Sequence, residues 1–259
     1  AQDERRGLQA MTRVQRILDE RGAFVFPGVY DTLSAKIAER VGFPLAFISG
    51  YAVSATLIGE PDMGLLTQTE IIDRARRICR AVAIPIIVDA DTGYGNALNV
   101  VRTVGELIDA GAAGCFLEDQ MWPKKCGHMR GKRVIDRDDY IQKIRAAAET
   151  RGARDFFIVA RTDAVAAVGL DEAIARVEAA RAAGLDIPRD LSVVSFDNTP
   201  LVRFTTPPLT AVDQPIAETT ATAVRLLIEA QREGATPPPA ALLPMTLVTR
   251  SSTAPPPAA

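Results

Sequence analysis

Histidine is nearly absent from this sequence, which has one, His128, in 259 residues. Any site that needs two histidines is therefore excluded. The three cysteines, Cys79, Cys115 and Cys126, are odd in number and follow no spacing pattern. A disulfide framework is not expected, and a reducing cytoplasm is the better interpretation. The sequence also lacks an apolar run of the roughly 18 residues that a membrane span needs.

An excess of positive charge is missing as well. The formal net charge is −2, so the chain has no basic surface for nucleic acid or for an anionic membrane, and neither is expected as a partner. The N-terminal AQDERRGLQAM is polar and of mixed charge, which is not typical of a signal peptide and favours a cytoplasmic location. Apolar residues make up 47% of the chain, enough for a globular core.

Strand-like apolar runs alternate with helix-period segments over the first 183 residues or so. The pattern predicts strands at 24–27, 45–49, 84–89, 114–118 and 156–161, and helices at 9–21, 31–41, 68–81, 97–110, 137–150 and 171–183. Five strand–helix units with short links predict a parallel sheet. A barrel and an open doubly wound sheet both satisfy this pattern. The first strand is not followed by a glycine-rich phosphate loop, which disfavours the open nucleotide-binding version.

The strict alternation is lost after Gly184. Three further strands are predicted at 191–196, 209–213 and 242–249, with a helix from Pro215 to about residue 232 and a disordered Pro-rich tail at 251–259. Five strands and three make eight. We therefore expect an α/β fold, a (β/α)8 TIM-like barrel whose first five units are regular and whose last three strands are irregular. An open or partly closed sheet is the alternative.

Acidic residues stand at the carboxyl ends of the predicted strands. Asp89 and Asp91 end the third strand and Glu118 ends the fourth, while Asp62 lies in the loop after the second. Residues two apart in an extended strand point the same way, and the carboxyl ends of parallel strands converge on one face. Such a set of oxygens suits Mg²⁺ or Mn²⁺. The alternative is that each is a turn or helix-cap residue, the role we assign to Asp163.

A long polar loop at 119–136 carries the sequence Lys124-Lys125-Cys126-Gly127-His128. Long loops without secondary structure are often functional lids. Adjacent lysines can hold a thiol poised for proton transfer and can neutralise a polycarboxylate substrate. The alternative is a solvated basic loop in which the cysteine is incidental. Arg161 ends a buried strand, so it needs an anionic partner, either in a structural ion pair or as a clamp on a substrate carboxylate.

Six motifs resemble the isocitrate lyase/phosphoenolpyruvate mutase superfamily over about residues 8–185. They are FISG (47–50), GEPDMG (59–64), VDADTGYGN (88–96), FLEDQ (116–120), PKKCGHMRGK (123–132) and VARTDA (159–164). Within that superfamily they are most similar to the 2-methylisocitrate and dimethylmalate lyase branch, which carries KKCGH. The resemblance implies a barrel enzyme that uses Mg²⁺ and cleaves a carbon–carbon bond of a 2-hydroxy di- or tricarboxylate by a retro-aldol reaction.

The resemblance also implies roles for individual residues. Asp89 would bind the metal directly or through water, and the shell would be completed by Asp91, Asp62 and Glu118. Ser49 and the backbone amides of Gly50 and Tyr51 would hold the carboxylate of an α-keto acid.

The lid residues receive the remaining implied roles. Cys126 would be the general acid/base on the succinate-like fragment, with Lys124 beside it in the catalytic group. Substrate carboxylates would be bound by Lys124, Gly127, His128 and Arg161. One position departs from the pattern: Phe47 stands where many such lyases have a tyrosine, so the base for the first proton is not identified.

Residues from about 186 to 257 resemble a different family. The stretches AAGLDIPRDLSVVSFDNTPL, RFTTPPLTAVDQPI and LLPMTLVTRSSTAPPP are similar to the end of lactose-repressor-type regulators, in a sugar- or purine-binding domain of periplasmic-binding-protein fold. That family's helix-turn-helix is absent, so DNA binding is not implied, while Asp197 would contact ligand. The chain is interpreted as a chimera joined within Ala183–Asp186. It would have a lyase-like portion (1–185), a repressor-like segment completing the sheet or barrel (186–250) and a tail (251–259).

Two functions follow from these observations. The first is a lyase, active or impaired, acting on a substrate such as 2-methylisocitrate. The second is a catalytically inactive fold chimera or small-molecule binding module. The resemblance also implies a glutamate and further polar groups on the sixth and seventh strands, and their motifs are not found in this sequence. This absence and Phe47 favour the second function, so we expect weak or absent activity. Decarboxylation of oxaloacetate is a third option. A homo-oligomer is expected, because members of the superfamily are often tetramers.

Overall fold

The computed structural model describes residues 11–21, 26–127 and 129–182, and then short stretches between 194 and 251. The first part contains five strands and eight helices among these residues. The strands are β1 (Gly28–Val29), β2 (Ala46–Ile48), β3 (Ile86–Asp89), β4 (Gly114–Glu118) and β5 (Phe157–Arg161). Of the predicted first strand at 24–27, residues 24 and 25 lie outside the described residues and residues 26 and 27 are not in a strand; pairing begins at Gly28 instead.

The five strands form one parallel sheet in the order β1-β2-β3-β4-β5. Every strand pairs with its neighbour in sequence, so each connection crosses over through a helical segment, as the alternating pattern predicted. The register places Asp89 beside Phe116, and Glu118 beside Arg161. The polar residues that end β3, β4 and β5 are therefore held at one edge of the sheet.

The helices follow the predicted segments closely. They are α1 (Arg13–Arg21), α2 (Thr32–Val41), α3 (Gly50–Leu57), α4 (Gln68–Ala81), α5 (Ala97–Asp109), α6 (Arg137–Arg151), α7 (Ala164–Ala167) and α8 (Leu170–Ala182). Capping boxes at Asp31, Thr67 and Asn96 satisfy the first backbone N–H groups of α2, α4 and α5. The helices α3 and α7 were not predicted.

The remaining strands form a separate three-stranded sheet. It consists of β6 (Val194–Phe196), β7 (Thr210–Asp213) and β8 (Thr246–Val248). β6 and β7 are parallel, and β7 and β8 are antiparallel. The chain divides into two compact units, Ala1–Leu191 with Pro255–Ala259, and Ser192–Ala254. The α/β class, the five regular units and the irregularity of the last three strands are confirmed.

Some predictions fall outside the described residues, among them Asp197 and the tail beyond residue 251. Within the predicted helix after Pro215, the described residues 218, 220–222 and 224–226 are helical. The core of the first sheet is aliphatic, with Leu45, Ile48, Ile86 and Leu117 each buried almost completely. Among the described residues, we find no helix with both the length and the apolar character of a membrane span.

Candidate active site

The acidic residues at the ends of β3 and β4 are brought together by the sheet. The backbone N–H of Ala90 donates to the carbonyl of Phe116 (3.0 Å), and that of Glu118 donates to the carbonyl of Asp91 (2.8 Å). These two bonds continue the ladder one step past the end of β3. Asp89, Asp91 and Glu118 therefore belong to adjacent backbone segments at one edge of the sheet.

Asp91 reaches this position through a turn, not through strand alternation. Its φ is +47°, in the left-handed region, and Tyr94 nearby has a φ of +61°. The prediction that Asp89 and Asp91 share a side because the strand stays extended was wrong in its reason, since β3 ends at Asp89. The backbone N–H of Asp91 donates to Oδ1 of Asp89 (3.2 Å). Left-handed non-glycine residues cost of the order of 1–3 kcal/mol each and are concentrated at functional sites.

Lys124 lies among these carboxylates. Its Nζ is 2.7 Å from Oδ1 of Asp91 and 2.5 Å from Oδ1 of Asp62, and all three side chains are buried. The lysine belongs to the long loop 119–136, so this contact attaches the loop to the acidic cluster. Its charge is matched here by the protein's own carboxylates, whereas the sequence predicted a role towards the substrate.

The electrostatics of the cluster show how closely the acids approach. Burial raises the pKa of Glu118 to about 8, the Arg161 guanidinium opposes this shift, and the charges of Asp89 and Asp91 add to it. Burial also raises the pKa of Asp91, again with a contribution from Asp89 and in spite of Lys124. A cation beyond Lys124 and Arg161 would relieve this repulsion and favour the ionised carboxylates.

The donor atoms fit a hard divalent cation in kind. Oε1 of Glu118 is buried and accepts no hydrogen bond, so it has capacity for a further partner. Asp62, Asp89, Asp91 and Glu118 offer only oxygen, the donor that Mg²⁺ prefers. Within the described part of the chain, no three acidic, cysteine or histidine side chains already enclose a common point. The arrangement is therefore a set of candidate ligands and not a finished coordination sphere.

The residues predicted to hold an α-keto-acid carboxylate start α3. Ser49 is its N-cap, and its hydroxyl accepts from the backbone N–H of Ala52 at 3.4 Å. A Cβ placed on Gly50 would lie 3.1 Å from Oδ2 of Asp89, so the backbone passes directly beside the acidic cluster. Tyr51 is exposed. A helix N-terminus presents backbone N–H groups that suit an anion, so the structure brings the two predicted subsites together.

The lid cysteine lies beside the same cluster. The backbone N–H of Cys126 donates to the carbonyl of Asp62 at 2.9 Å. Cys126 is partly buried. A Cβ on Gly127 would lie 2.9 Å from Nη2 of Arg161, so the lid backbone packs on that guanidinium. His128 lies outside the described residues.

The surroundings of the other two cysteines make their thiols unreactive. Burial raises the pKa of the Cys115 thiol to about 12 and that of the Cys79 thiol to about 11. Cys115 lies within β4 and Cys79 within α4. At neutral pH both stay protonated, so Cys126 is the one cysteine that the fold places at the candidate site.

Arg161 forms the ion pair that one of the two predicted alternatives required. Its guanidinium lies 3.4 Å from Oε2 of Glu118 and 3.2 Å from Asp163, while 36% of its side chain stays exposed. The assignment of Asp163 as a helix cap was wrong for its side chain. The residue precedes α7, but its carboxylate makes no capping bond and instead contacts Arg161, Lys132 and Gln120.

Several contacts at the site were missed from the sequence. Tyr94 donates its hydroxyl to Oδ2 of Asp91 (3.2 Å), and Gln120 and Lys132 fasten the lid. Tyr94 lies in VDADTGYGN, so its position in a quoted motif was an available signal. Gln120 and Lys132 likewise lie in the quoted motifs FLEDQ and PKKCGHMRGK, but no spacing signal connects either of them to Asp163, which follows a different strand. Phe47 packs edge-on against Phe116 with ring centroids 5.1 Å apart and brings no hydroxyl to the site.

The matched family model defines the class of protein. Residues 15–188 match the model described as phosphoenolpyruvate phosphomutase, which confirms the superfamily predicted from the motifs. The chain belongs to the phosphoenolpyruvate mutase/isocitrate lyase superfamily. Residues 124–253 match a second model, the periplasmic binding protein-like domain, as expected for a chain that combines two families. The two matches overlap over 124–188.

Individual relatives fall on both the mutase and the lyase side. Carboxyvinyl-carboxyphosphonate phosphorylmutase of Arabidopsis thaliana is 55% identical over 69% of this chain and 56% of its own length. The 2,3-dimethylmalate lyase of Eubacterium barkeri is 46% identical over 70% of this chain and 62% of its own. The 2-methylisocitrate lyase of Aeropyrum pernix is 46% identical over 67% and 56%. The chain thus spans little more than half the length of these curated relatives.

Solved structures agree with the fold. Oxaloacetate acetylhydrolase in complex with 3,3-difluorooxaloacetate superposes with a TM-score of 0.65 at 31% identity, covering 88% of both chains. Phosphonopyruvate hydrolase in complex with oxalate and Mg²⁺ gives a TM-score of 0.61 at 27% identity, covering 86% of this chain and 87% of the other.

Proposed function

We propose that this chain is a Mg²⁺-dependent carbon–carbon lyase that cleaves a 2-hydroxy di- or tricarboxylate into an α-keto acid and a second carboxylate. The second product would be succinate from a substrate of the 2-methylisocitrate type and propionate from one of the 2,3-dimethylmalate type. One observation carries the proposal: the acidic ends of neighbouring strands lie together with the lid segment that bears Cys126. The relatives named 2,3-dimethylmalate lyase and 2-methylisocitrate lyase support this reaction class.

The metal would be held by Asp89, Asp91, Asp62 and Glu118, whose oxygen donors and orphaned buried Glu118 Oε1 fit it. When bound, it supplies Lewis acidity that lowers the pKa of a substrate hydroxyl. Lys124, already bonded to two of these acids, holds the lid against them.

The remaining roles fall on groups around the cluster. The N-terminus of α3, with Ser49, Gly50 and Tyr51, binds the carboxylate next to the reacting carbon. The partly exposed guanidinium of Arg161 and the backbone of Gly127 bind a second carboxylate. Cys126 then delivers a proton to the carbanion that cleavage leaves behind. The lid excludes water while this happens.

The activity test is release of pyruvate or glyoxylate, in the presence of Mg²⁺, from 2-methylisocitrate, isocitrate and 2,3-dimethylmalate, with oxaloacetate as a fourth substrate. Cys126→Ser should lower turnover by about 10²-fold or more, the range for loss of a general acid. Cys79→Ser is the matched control, because that thiol lies in α4. Equal activity of Cys126→Ser and the parent protein would remove the thiol from the mechanism.

The metal site is tested without turnover. Isothermal titration of Mg²⁺ should show binding to the parent protein and little or none to Asp89→Ala. Asp73→Ala is the matched control, because Asp73 pairs with Arg77 on the exposed face of α4. If Asp89→Ala binds Mg²⁺ as the parent does, the ligand assignment is wrong.

A second candidate is a binding module without turnover, and Phe47 favours it. Its ring packs on Phe116, so no hydroxyl stands at the position predicted to supply the first base. Mg²⁺ and oxalate binding without release of any keto acid would support this candidate. The small carboxylate substrate, the cytoplasmic location and the homo-oligomer predicted from the sequence belong to the same proposal.

A further inference from the structure

We infer that Asp163 is a positioning residue that holds the lid closed together with Lys124, because its one buried carboxylate is connected to both limbs of the loop and to Arg161. The inference rests on the proposed function in one respect, because that function is the reason for the lid to close over the site. The lid is defined here as residues 119–136, between β4 and α6. Asp163 follows β5 and is 8% exposed.

The part of the lid that leads into α6 is attached to Asp163 through Lys132. Its Nζ donates to the carbonyl of Gly127 at 2.6 Å and lies 3.1 Å from Oδ1 of Asp163. A single ammonium group thus bridges the turn after Cys126 to the end of β5. Both side chains of the pair are 8% exposed, so water screens their attraction far less than at the surface.

The part of the lid that follows β4 is attached to Asp163 through Gln120. Its amide Nε2 donates to Oδ2 of Asp163 at 3.2 Å and to the carbonyl of Lys125 at 2.9 Å, while its Oε1 accepts from the backbone N–H of Lys125 at 2.9 Å. The side chain completes two bonds with the lid backbone, as a paired strand would. Gln120 is 2% exposed, so these bonds cannot be exchanged freely for water.

The third connection reaches the proposed substrate group. Nη2 of Arg161 donates to Asp163 at 3.2 Å, and the same nitrogen is the one that the Gly127 backbone covers. The Asp163 backbone N–H is in turn fixed by Oδ1 of Asp119 at 2.9 Å. Asp163 therefore orients Arg161 and fastens the segment around Cys126 over it.

The test measures the lid directly. Hydrogen–deuterium exchange reports the amides of Lys125 and Cys126, which the closed lid bonds to Gln120 and Asp62. Iodide quenching reports the single tryptophan, Trp122, at the lid root. Asp163→Asn should accelerate lid exchange at least about tenfold while the amides of α5 stay unchanged. The apparent KM should rise by the factor by which the closed population falls, with kcat changed less.

Lys132→Met is the second variant, because it alters only the lid and leaves β5 intact. It should increase lid exchange by less than Asp163→Asn does, since it removes only one of the three connections of Asp163. Combining the two variants should add little to Asp163→Asn alone, since they share that contact. Asp155→Asn is the matched control, because Asp155 pairs with Arg13 at the surface.

The outcomes separate this inference from the proposed function. Lid exchange within twofold of the parent in both folded variants would overturn it, whether or not the protein turns over a substrate. If lid exchange is faster in the variants but the parent protein releases no keto acid, the role of Asp163 in holding the lid is upheld and the proposed lyase function is wrong.

Discussion

Gly50 shows how little space surrounds the acidic cluster. Its Cα approaches Asp89 so closely that an added methyl group would sit 3.1 Å from Oδ2 and 3.4 Å from Cγ of that residue. Oδ1 of Asp91 would be 3.5 Å away. The backbone at the start of α3 therefore limits where Asp89 can point, and a side chain there would displace the carboxylate that we assign to the metal.

Gly50→Ala is expected to weaken Mg²⁺ binding by about tenfold, equivalent to about 1.4 kcal/mol, because Asp89 must move to admit the methyl group. Isothermal titration gives the affinity. Gly105→Ala is the control: no atom lies within 4 Å of its added Cβ, and the change to alanine inside α5 should stabilise the helix by about 0.5–1 kcal/mol. Equal Mg²⁺ affinity in both variants would contradict the placement of Asp89.

Sequence reasoning found the ends of the strands but not what joins them. Asp89 and Glu118 could be placed side by side because parallel strands end at one edge. The left-handed turn at Asp91 was not foreseen, although Gly93, Gly95 and Asn96 follow it closely and are typical of turns. The bond from Lys132 to Asp163 spans 31 residues of loop, helix and strand, and such contacts leave no periodic trace in the sequence.

At the scale of elements, a buried ion pair connects α8 to the edge of the sheet. Asp119, at the end of β4, is fully buried, and its Oδ2 lies 3.2 Å from Nη1 of Arg176. The same carboxylate accepts from the hydroxyl of Thr162 and from the backbone N–H of Asp163. Burial raises the pKa of Asp119 in spite of these partners. Removing the arginine would leave a buried carboxylate with less compensation.

Arg176→Met should therefore lower the free energy of unfolding by about 3–5 kcal/mol, the usual cost of breaking a buried pair. Urea unfolding followed by circular dichroism measures the change. Arg77→Met is the matched control, since its pair with Asp73 is exposed and four residues apart on α4, worth about 0.3–0.5 kcal/mol. Comparable losses in the two variants would show that the Asp119 pair does not fasten α8.

Elements with strong end signals were predicted well. β4 was predicted at its observed residues, Gly114–Glu118, because a short apolar run stands between a glycine and an acidic pair. α4 and α5 begin at capping boxes that also mark them in the sequence. α3 was missed because GYAVSATL has no apolar stripe. The pattern of such a helix does not distinguish it from a loop. The capping bond of Ser49 is seen only in the folded structure.

At the scale of the whole molecule, the division into two units sets the unfolding behaviour. Trp122 belongs to the first unit, Ala1–Leu191 with Pro255–Ala259, as do the four acids assigned to the metal. The second unit, Ser192–Ala254, contains β6, β7 and β8 and has no tryptophan. Fluorescence therefore reports one unit, whereas far-ultraviolet circular dichroism reports both.

We expect urea unfolding curves from tryptophan fluorescence and from circular dichroism to differ in midpoint, because the two units lose structure separately. Mg²⁺ at about 100 times its Kd should stabilise the unit that fluorescence reports by about 2.7 kcal/mol. The midpoint of the second unit, seen by circular dichroism, should not change. Mg²⁺-free buffer brought to the same ionic strength with NaCl controls for salt. Coincident curves that move together with Mg²⁺ would show one cooperative unit.

The order of residues along the chain has a consequence for protein engineering. Each side chain that we assign to the site precedes the join predicted within Ala183–Asp186, whereas the periplasmic binding protein-like match covers residues 124–253. In recombination terms, the predicted join would be a crossover point upstream of which the parental chemistry is inherited whole. Shuffling libraries that exchange the piece downstream of this join would therefore keep the same reactive groups in every clone.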